Sequence, residues 1–276
     1  MEAYSNTRKQ AKATISIAAA IEAQQREDAQ SSQPIHVPLL WAKHDKLAVL
    51  VSDVLSEEEC DAIIQSCEVH GFEQALLNIG GCRQVLATSI RKSERCIIDD
   101  VHAADILWER LHQAAPNTIE HGGRSWQCVG LNERFRVLKY QPGDYFMRHS
   151  DGVFVRPKGA DTCTAVGEPG DMSFFTVMLY LNTPAKGGGT DFINSADSSQ
   201  VSHVAPCTGQ ALVFDHSIPH EGAMLEAGVK YAIRTDVMYR CVDSTEPAMG
   251  TATGVAAATG VFIPTKHAPH GYTMKC

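Results

Sequence analysis

Tyr140-Gln141-Pro142-Gly143-Asp144-Tyr145-Phe146-Met147-Arg148-His149-Ser150-Asp151 is the stretch from which the rest of this 276-residue chain can be read. A Pro-Gly-Asp turn separates two runs of strand-forming residues. In an extended segment, residues two apart face the same way, so His149 and Asp151 offer an imidazole and a carboxylate to one point. Alone, H-x-D is a weak signal in a chain with 12 histidines, where an exposed pair is the commoner explanation. The company it keeps decides its value.

Outward from this string, from Arg134 on, the texture is one of short β-branched and aromatic runs punctuated by Gly and Pro. Strands are expected over 135–140, 174–181, 189–194, 210–214 and 231–239, with Gln141-Pro142-Gly143-Asp144, Lys186-Gly187-Gly188-Gly189 and Glu226-Ala227-Gly228 as turns. No helical periodicity intervenes, which points to an antiparallel sandwich or barrel.

Upstream, 47–51 has strand length, and Ser56 followed by Glu57, Glu58 and Glu59 is a helix N-cap with an acidic first turn. That helix carries Cys60, Ile63, Ile64 and Cys67 at helical spacing and ends near Gly71; a second is expected over 103–113. Both read as buttresses for a sheet. The charged run Arg91-Lys92-Ser93-Glu94-Arg95 has two readings, a gate over the cleft and solvated surface, and the second is the one expected. The organisation that results is a polar N-terminal arm over 1–35, in which the apolar, Ala-rich stretch 14–21 suits one short amphipathic helix, a domain over 36–242 with its β core at about 132–242, and an irregular extension over 243–276.

Composition narrows the partners. The hydrophobic share of 44% can fill one sizeable core, and a formal net charge of -8 leaves no excess of cations to neutralise a phosphate backbone. No nucleic-acid partner is expected. No apolar run is long enough for a membrane helix, and none is expected to contact a membrane. Nine scattered cysteines without a C-x-x-C pair read as reduced thiols of a cytoplasmic or nuclear protein.

A metal held by His149 and Asp151 needs a third ligand. His216 and His220 both lie in the string Phe214-Asp215-His216-Ser217-Ile218-Pro219-His220-Glu221-Gly222, far enough along the chain for the sheet to fold back. Two imidazoles and one carboxylate on one face of an octahedral metal leave three positions open, the facial triad of non-haem Fe(II) oxygenases.

At this point the sequence resembles the iron(II)/2-oxoglutarate-dependent dioxygenases, and among them the prolyl 4-hydroxylase-like branch. The resemblance spans about 132–240, with a looser echo over 50–67. It rests on the tyrosine and Pro-Gly turn before H-x-D and on Val177-Met178-Leu179-Tyr180-Leu181-Asn182. Gly187-Gly188-Gly189-Thr190-Asp191-Phe192, the string His220-Glu221-Gly222, and a basic residue ten positions after His220 complete it. The Glu-Gly pair and that offset favour His220 over His216, which is expected beside the site, and His203 is expected to be structural.

The resemblance implies an α+β chain whose mainly β core is a double-stranded β-helix of jelly-roll or cupin type, flanked by N-terminal helices. It implies 2-oxoglutarate- and O2-dependent hydroxylation of a C–H bond with release of succinate and CO2. The ligands would be His149, Asp151 and His220, the cofactors Fe(2+), 2-oxoglutarate and O2, with L-ascorbate as a reductant. Lys230 would hold the distal carboxylate of 2-oxoglutarate, with Arg234 as the competing candidate. Tyr180 would donate to that carboxylate and Tyr140 would lie near the chelated end. Thr190 is a further pocket candidate, and Tyr145 is expected to be an ordinary core aromatic.

The loop 152–172 is a candidate lid. It is longer than in the oxygen-sensing prolyl hydroxylases, so the substrate, protein or small molecule, stays open. Three rivals carry the same triad or metal: a nucleic-acid dealkylase, whose paired arginines Lys230 and Arg234 do not reproduce; a zinc hydrolase, with no use for Lys230 and Tyr180 at these offsets; and a catalytically silent β-helix acting as a binding module.

Overall fold

The computed structural model describes residues 15–24, 32–39, 46–78, 84–157 and 167–242. Two antiparallel sheets face each other. The major sheet runs in the order Ile35–His36, Ala48–Val51, Ala211–Asp215, Met172–Tyr180, Lys230–Cys241, Arg134–Tyr140, Glu94–Asp99 and Glu73–Gln74. The minor sheet runs Val201–Val204, Thr190–Ile193, His220–Gly222, Tyr145–His149 and Arg91–Lys92. This is the jelly-roll expected from the strand texture.

Alternation along each strand divides its side chains between two environments. Phe135 and Val137, Val177 and Leu179, and Ile233, Val237 and Tyr239 leave the major sheet on the helical side, in the largest apolar cluster. Tyr180, Ala232, Leu212 and Phe214 go the other way and meet Phe192, Val204 and Ile218 between the sheets. The site is built on that inner face.

Three helices cover the outer face. Helix α1 (Ile17–Glu22) is capped by Ser16 and buries Ile17, Ala18, Ala20 and Ile21. Helix α2 (Glu57–His70) begins with the expected cap, here a full capping box between Ser56 and Glu59. Helix α3 (Val101–Leu111) is capped by Asp100, whose second carboxylate oxygen also accepts from Ser16 Oγ and Ala18 N. One carboxylate thus ties the starts of two helices together. Glu59 is fully buried and receives both terminal nitrogens of Arg110 at 2.9 Å. Arg110 also donates to the carbonyl of Val54, so the pair locks α2, α3 and the loop before α2.

Several expectations change. Within the N-terminal arm the short helix expected over 14–21 forms as α1, and it packs into the outer core instead of lying free of the domain. The major sheet also starts well before residue 132. Glu94–Asp99, and the hairpin of Thr118–His121 and Arg124–Leu131 that pairs with the end of the Lys230 strand, belong to it. The hairpin turn is Gly122-Gly123, both at positive φ, a two-residue signal legible in the sequence. The charged run 91–95 is solvated only in part: Lys92 is exposed and Arg91 and Glu94 are half-buried, but Ser93 and Arg95 are buried, and Arg95 pairs with Glu73 and Gln84. There the chain crosses from the minor to the major sheet, and its polar groups carry their partners inside.

Both described ends of the candidate lid are pinned. Arg156 forms a bidentate pair with buried Glu133 at 2.8 Å, and Asp171 receives Arg240 at 2.9 Å twice. Residues 158–166 of that loop and the extension 243–276 lie outside the described residues. Among the described residues, no helix is long and apolar enough to cross a membrane, and Cys60, Cys67, Cys96, Cys128, Cys207 and Cys241 form no disulfide.

Replacing Glu59 by Ala would leave the Arg110 guanidinium buried without its carboxylate. The expected loss is about 3–5 kcal/mol of unfolding free energy in a urea titration.

Candidate metal and cosubstrate site

Residues His149, Asp151 and His220 converge, with one ligand atom from each lying within 4.8 Å of the others. The minor sheet does this by pairing His149 directly with His220 across two strands, past an irregularity that follows Phe146. Asp151 lies just beyond the strand end, its backbone N–H donating to the carbonyl of His216 at 2.9 Å. The Phe146 ring stacks on His149 at 3.7 Å and the Phe214 ring meets His220 edge-on at 4.7 Å, which fixes both imidazole planes.

The donor chemistry fits a divalent metal. Nδ1 of His149 lies 2.8 Å from the carbonyl of Met147, and Nδ1 of His220 lies 2.9 Å from that of Ile218. A carbonyl can only accept, so each Nδ1 carries the proton and each Nε2 turns a lone pair inward. Those Nε2 atoms stand 3.7 and 3.8 Å from the Asp151 oxygens, too far for hydrogen bonds and spaced to share a cation. Burial, then the neighbouring His149, pushes His220 down to about 3, so it is neutral at physiological pH. Burial would push the Asp151 carboxyl up, but Arg234 beside it, with His149 and His220, holds it well below the usual carboxylate range.

Asp151 is held from two sides. Thr176 Oγ1 donates to Oδ2 at 2.5 Å, and Arg234 Nη2 lies 3.2 Å from Oδ1. The same Arg234 nitrogen is 3.2 Å from Oδ1 of buried Asp236. His216, the histidine expected beside the site, is buried with Nε2 at 3.4 Å from that same oxygen. Burial raises the Asp236 carboxyl, but Arg234 and then His216 outweigh it and bring it down to about 2.

Lys230 occupies a different part of the interior. It is buried, its Nζ donates to the carbonyl of Gly188 at 2.5 Å, and the rings of Tyr140 and Tyr180 lie 5.2 and 5.4 Å from it. Tyr140 is its direct cross-strand partner. Tyr180 is fully buried and shares a hydrogen bond of 2.8 Å with Thr190. Gly188 is needed here: it sits at φ +73°, and a Cβ on it would stand 3.2 Å from Lys230 Cδ and 3.1 Å from Leu225 Cδ1. Asn182 secures the start of the Lys230 strand by bonding both the carbonyl of Val229 and the N–H of Tyr231 at 2.7 Å. Burial depresses the Lys230 ammonium to about 8. Among the described residues no carboxylate pairs with it.

The remaining expectations resolve simply. Tyr145 is half-buried and its hydroxyl donates to the carbonyls of Thr88 and Ser89. His203 pairs with Asp191 on the outer face of the minor sheet, away from the triad. Sequence reasoning missed Thr176, Asp236 and Arg136. Their positions follow from alternation once the cross-strand partners Thr176–Asp236 and Arg136–Arg234 are known, and register is not visible in one sequence.

Residues 135–235 match the family model described as the 2OG-Fe(II) oxygenase superfamily. No curated protein sequence matches the chain. Among solved structures, a viral collagen prolyl hydroxylase from Paramecium bursaria Chlorella virus-1 is 20% identical, with a TM-score of 0.46 over 70% of this chain and 97% of that one. A Pseudomonas putida prolyl-4-hydroxylase is 18% identical, with a TM-score of 0.44 over 81% and 99%. A Trichoplax adhaerens prolyl hydroxylase, solved with a peptide fragment of hypoxia inducible factor, is 17% identical, with a TM-score of 0.47 over 69% and 82%. The family match, falling on the strands that carry the triad, defines the class. The β core over 135–235 matches the 2OG-Fe(II) oxygenase superfamily and carries a His-Asp-His ligand set, and the protein is an oxidoreductase, a 2-oxoglutarate/Fe(II)-dependent dioxygenase.

Removing the Thr176 hydroxyl leaves Asp151 held from the Arg234 side alone. Thr176→Val is expected to weaken Mn(II) binding by about 10- to 100-fold, measured by titrating the free-metal resonance signal, with little change in melting behaviour.

Proposed function

We propose that this site carries out prolyl 4-hydroxylase-like hydroxylation of a substrate C–H bond, with His149, Asp151 and His220 as iron ligands and Lys230 as the anchor for the distal carboxylate of 2-oxoglutarate. The observation that carries the choice of anchor is the different company kept by the two bases. Arg234 is engaged by Asp151 and Asp236, whereas Lys230 ends in a dry aromatic pocket without a carboxylate. A buried cation without a counter-ion is costly, and a dicarboxylic acid supplies the missing charge.

His149, Asp151 and His220 would hold a ferrous ion, whose chemistry there would be coordination of the 2-oxo acid end and activation of dioxygen. The chain's own groups do the rest. The carbonyls of Met147 and Ile218 keep both imidazoles in the ligating tautomer. Thr176 and Arg234 orient Asp151. Tyr180 and Thr190 offer hydroxyls beside Lys230, and Leu138, Tyr140 and Leu225 wall that end of the pocket against water. We assign no role to nucleic acid or membrane, take the compartment to be cytoplasmic or nuclear, and take L-ascorbate as the reductant.

Anaerobic protein with Fe(II) and 2-oxoglutarate is expected to show the weak visible charge-transfer band of the chelate, and alanine at His149 or Asp151 to abolish it. Zinc bound in place of iron, with no band, would support a hydrolase instead, and a band without any succinate release would support a silent binding module. Lys230→Met should raise the 2-oxoglutarate midpoint about 10- to 100-fold, the scale of one charge-assisted hydrogen bond.

The pH dependence has a definite sign. The Lys230 value in the fold lies below its ordinary 10.5, at about 8, so the proton leaves as pH rises through 8. Only the ammonium pairs with a carboxylate. The 2-oxoglutarate midpoint should be flat below that pH and climb toward about tenfold per unit above it, a climb that Lys230→Met abolishes.

A further inference from the structure

Arg136 stands one strand away from Arg234 on the same rung of the major sheet, so alternation turns both guanidinium groups into the space between the sheets. Arg91 enters that space from the edge of the minor sheet, where it is the cross-strand partner of Phe146, its Cζ 4.8 Å from the Phe146 ring that stacks on His149. Three guanidinium groups therefore gather beside the triad from three strands.

Their counter-charges do not match. Arg234 is satisfied by Asp151 and Asp236. The nearest carboxylate oxygen to Arg136 is Asp236 Oδ2 at 3.9 Å, beyond hydrogen-bond reach, and Arg136 Nη1 is buried with no hydrogen-bond partner. Arg91 donates from Nε to Ser93 and lies over a ring, but no ion pair is formed by it among the described residues. Burial lowers both guanidinium groups from their ordinary values, Arg136 to about 10 with Arg234 as the next cause.

The full complement of the site does not remove this surplus. A ferrous ion adds two positive charges, and Lys230 with the 2-oxoglutarate dianion subtracts only one. Against three arginines and two aspartates, two positive charges remain uncompensated, and Arg136 and Arg91 are the members of the group without a carboxylate in hydrogen-bond reach.

We propose that the substrate presents a carboxylate close to the C–H bond that is oxidised, and that Arg136, with Arg91, receives it. The substrate class is then a small carboxylic acid or a residue with a free carboxyl end, and an internal residue of a peptide lacks the required charge. This rests on the reading of the site as an Fe(II)/2-oxoglutarate centre. Arg136 acts as a specificity-determining residue and takes no part in holding the cosubstrate.

The test uses the anaerobic full-length protein saturated with Fe(II) and 2-oxoglutarate, titrated with three matched pairs: N-acetyl-L-proline and its amide, N-acetylglycine and its amide, and benzoate and benzamide. The readout is the shift of the visible chelate band. At least one acid should shift the band saturably, with its amide about tenfold weaker or worse, the scale of one charge-assisted contact. Arg136→Gln should raise that acid's midpoint by about tenfold or more, and Arg136→Lys should recover part of it, while the 2-oxoglutarate midpoint stays within about threefold in both. Arg91→Gln should weaken the acid in the same direction, which keeps the test alive if Arg136→Gln does not fold.

Acid and amide acting alike, no shift with any acid, or an acid that erases the band by displacing 2-oxoglutarate would each overturn the proposal. So would an Arg136→Gln variant that binds the acid as the parent does, or one that loses 2-oxoglutarate in equal measure. A parent protein without the chelate band fails differently: it removes the Fe(II)/2-oxoglutarate reading first, and this proposal with it.

Discussion

The period-2 alternation of the Lys230–Cys241 strand is the constraint on which the rest of the structure depends. This strand pairs with Arg134–Tyr140 on one side and Met172–Tyr180 on the other, and a third partner, Arg124–Leu131, joins at its end. Its odd-numbered side chains, Ile233, Val237 and Tyr239, are bound into the apolar layer beneath the helices. Its even-numbered ones, Lys230, Ala232, Arg234 and Asp236, are therefore forced inward. A shift of one residue would exchange the two sets and place two cations and a carboxylate in the outer core. Core packing and site assembly are one decision.

That arrangement puts charge in a place where charge is expensive, and the fold answers by pairing almost all of it. Arg234 bridges Asp151 and Asp236, Arg156 locks onto Glu133, Arg240 onto Asp171, and Glu59 onto Arg110. Among the described residues, Lys230, Arg136 and Arg91 have no carboxylate within hydrogen-bond reach. Desolvated cations without a carboxylate in hydrogen-bond reach are the least economical elements of the interior, and the proposed function gives them anions to bind.

Much of this was legible beforehand, for identifiable reasons. The H-x-D string, the Pro-Gly turn and the offset from His220 to Lys230 are local or fixed-spacing features. The Ser56 cap and acidic first turn of α2 act through backbone groups within one helical turn. What could not be read were features that depend on a distant partner. The polar run 91–95 reads as solvent-facing until Glu73, Gln84 and Phe146 are brought against it. The apolar stretch 14–21 reads as a short helix, but its place against the domain is not legible until Asp100 accepts from Ser16 and Ala18. Thr176, one hydroxyl among many, gains meaning only beside Asp151.

By itself the sequence determined the class of fold, the three metal-ligand candidates and the pair of bases that could anchor a cosubstrate, because period, turn chemistry and short spacings are properties of the chain alone. Only the tertiary structure decided how those two bases divide. The registers Tyr140–Lys230 and Arg136–Arg234 send one to an aromatic pocket and the other to the carboxylate of Asp151. Register is set by packing between strands far apart in sequence, so a single chain of letters leaves it open while the folded sheets cannot.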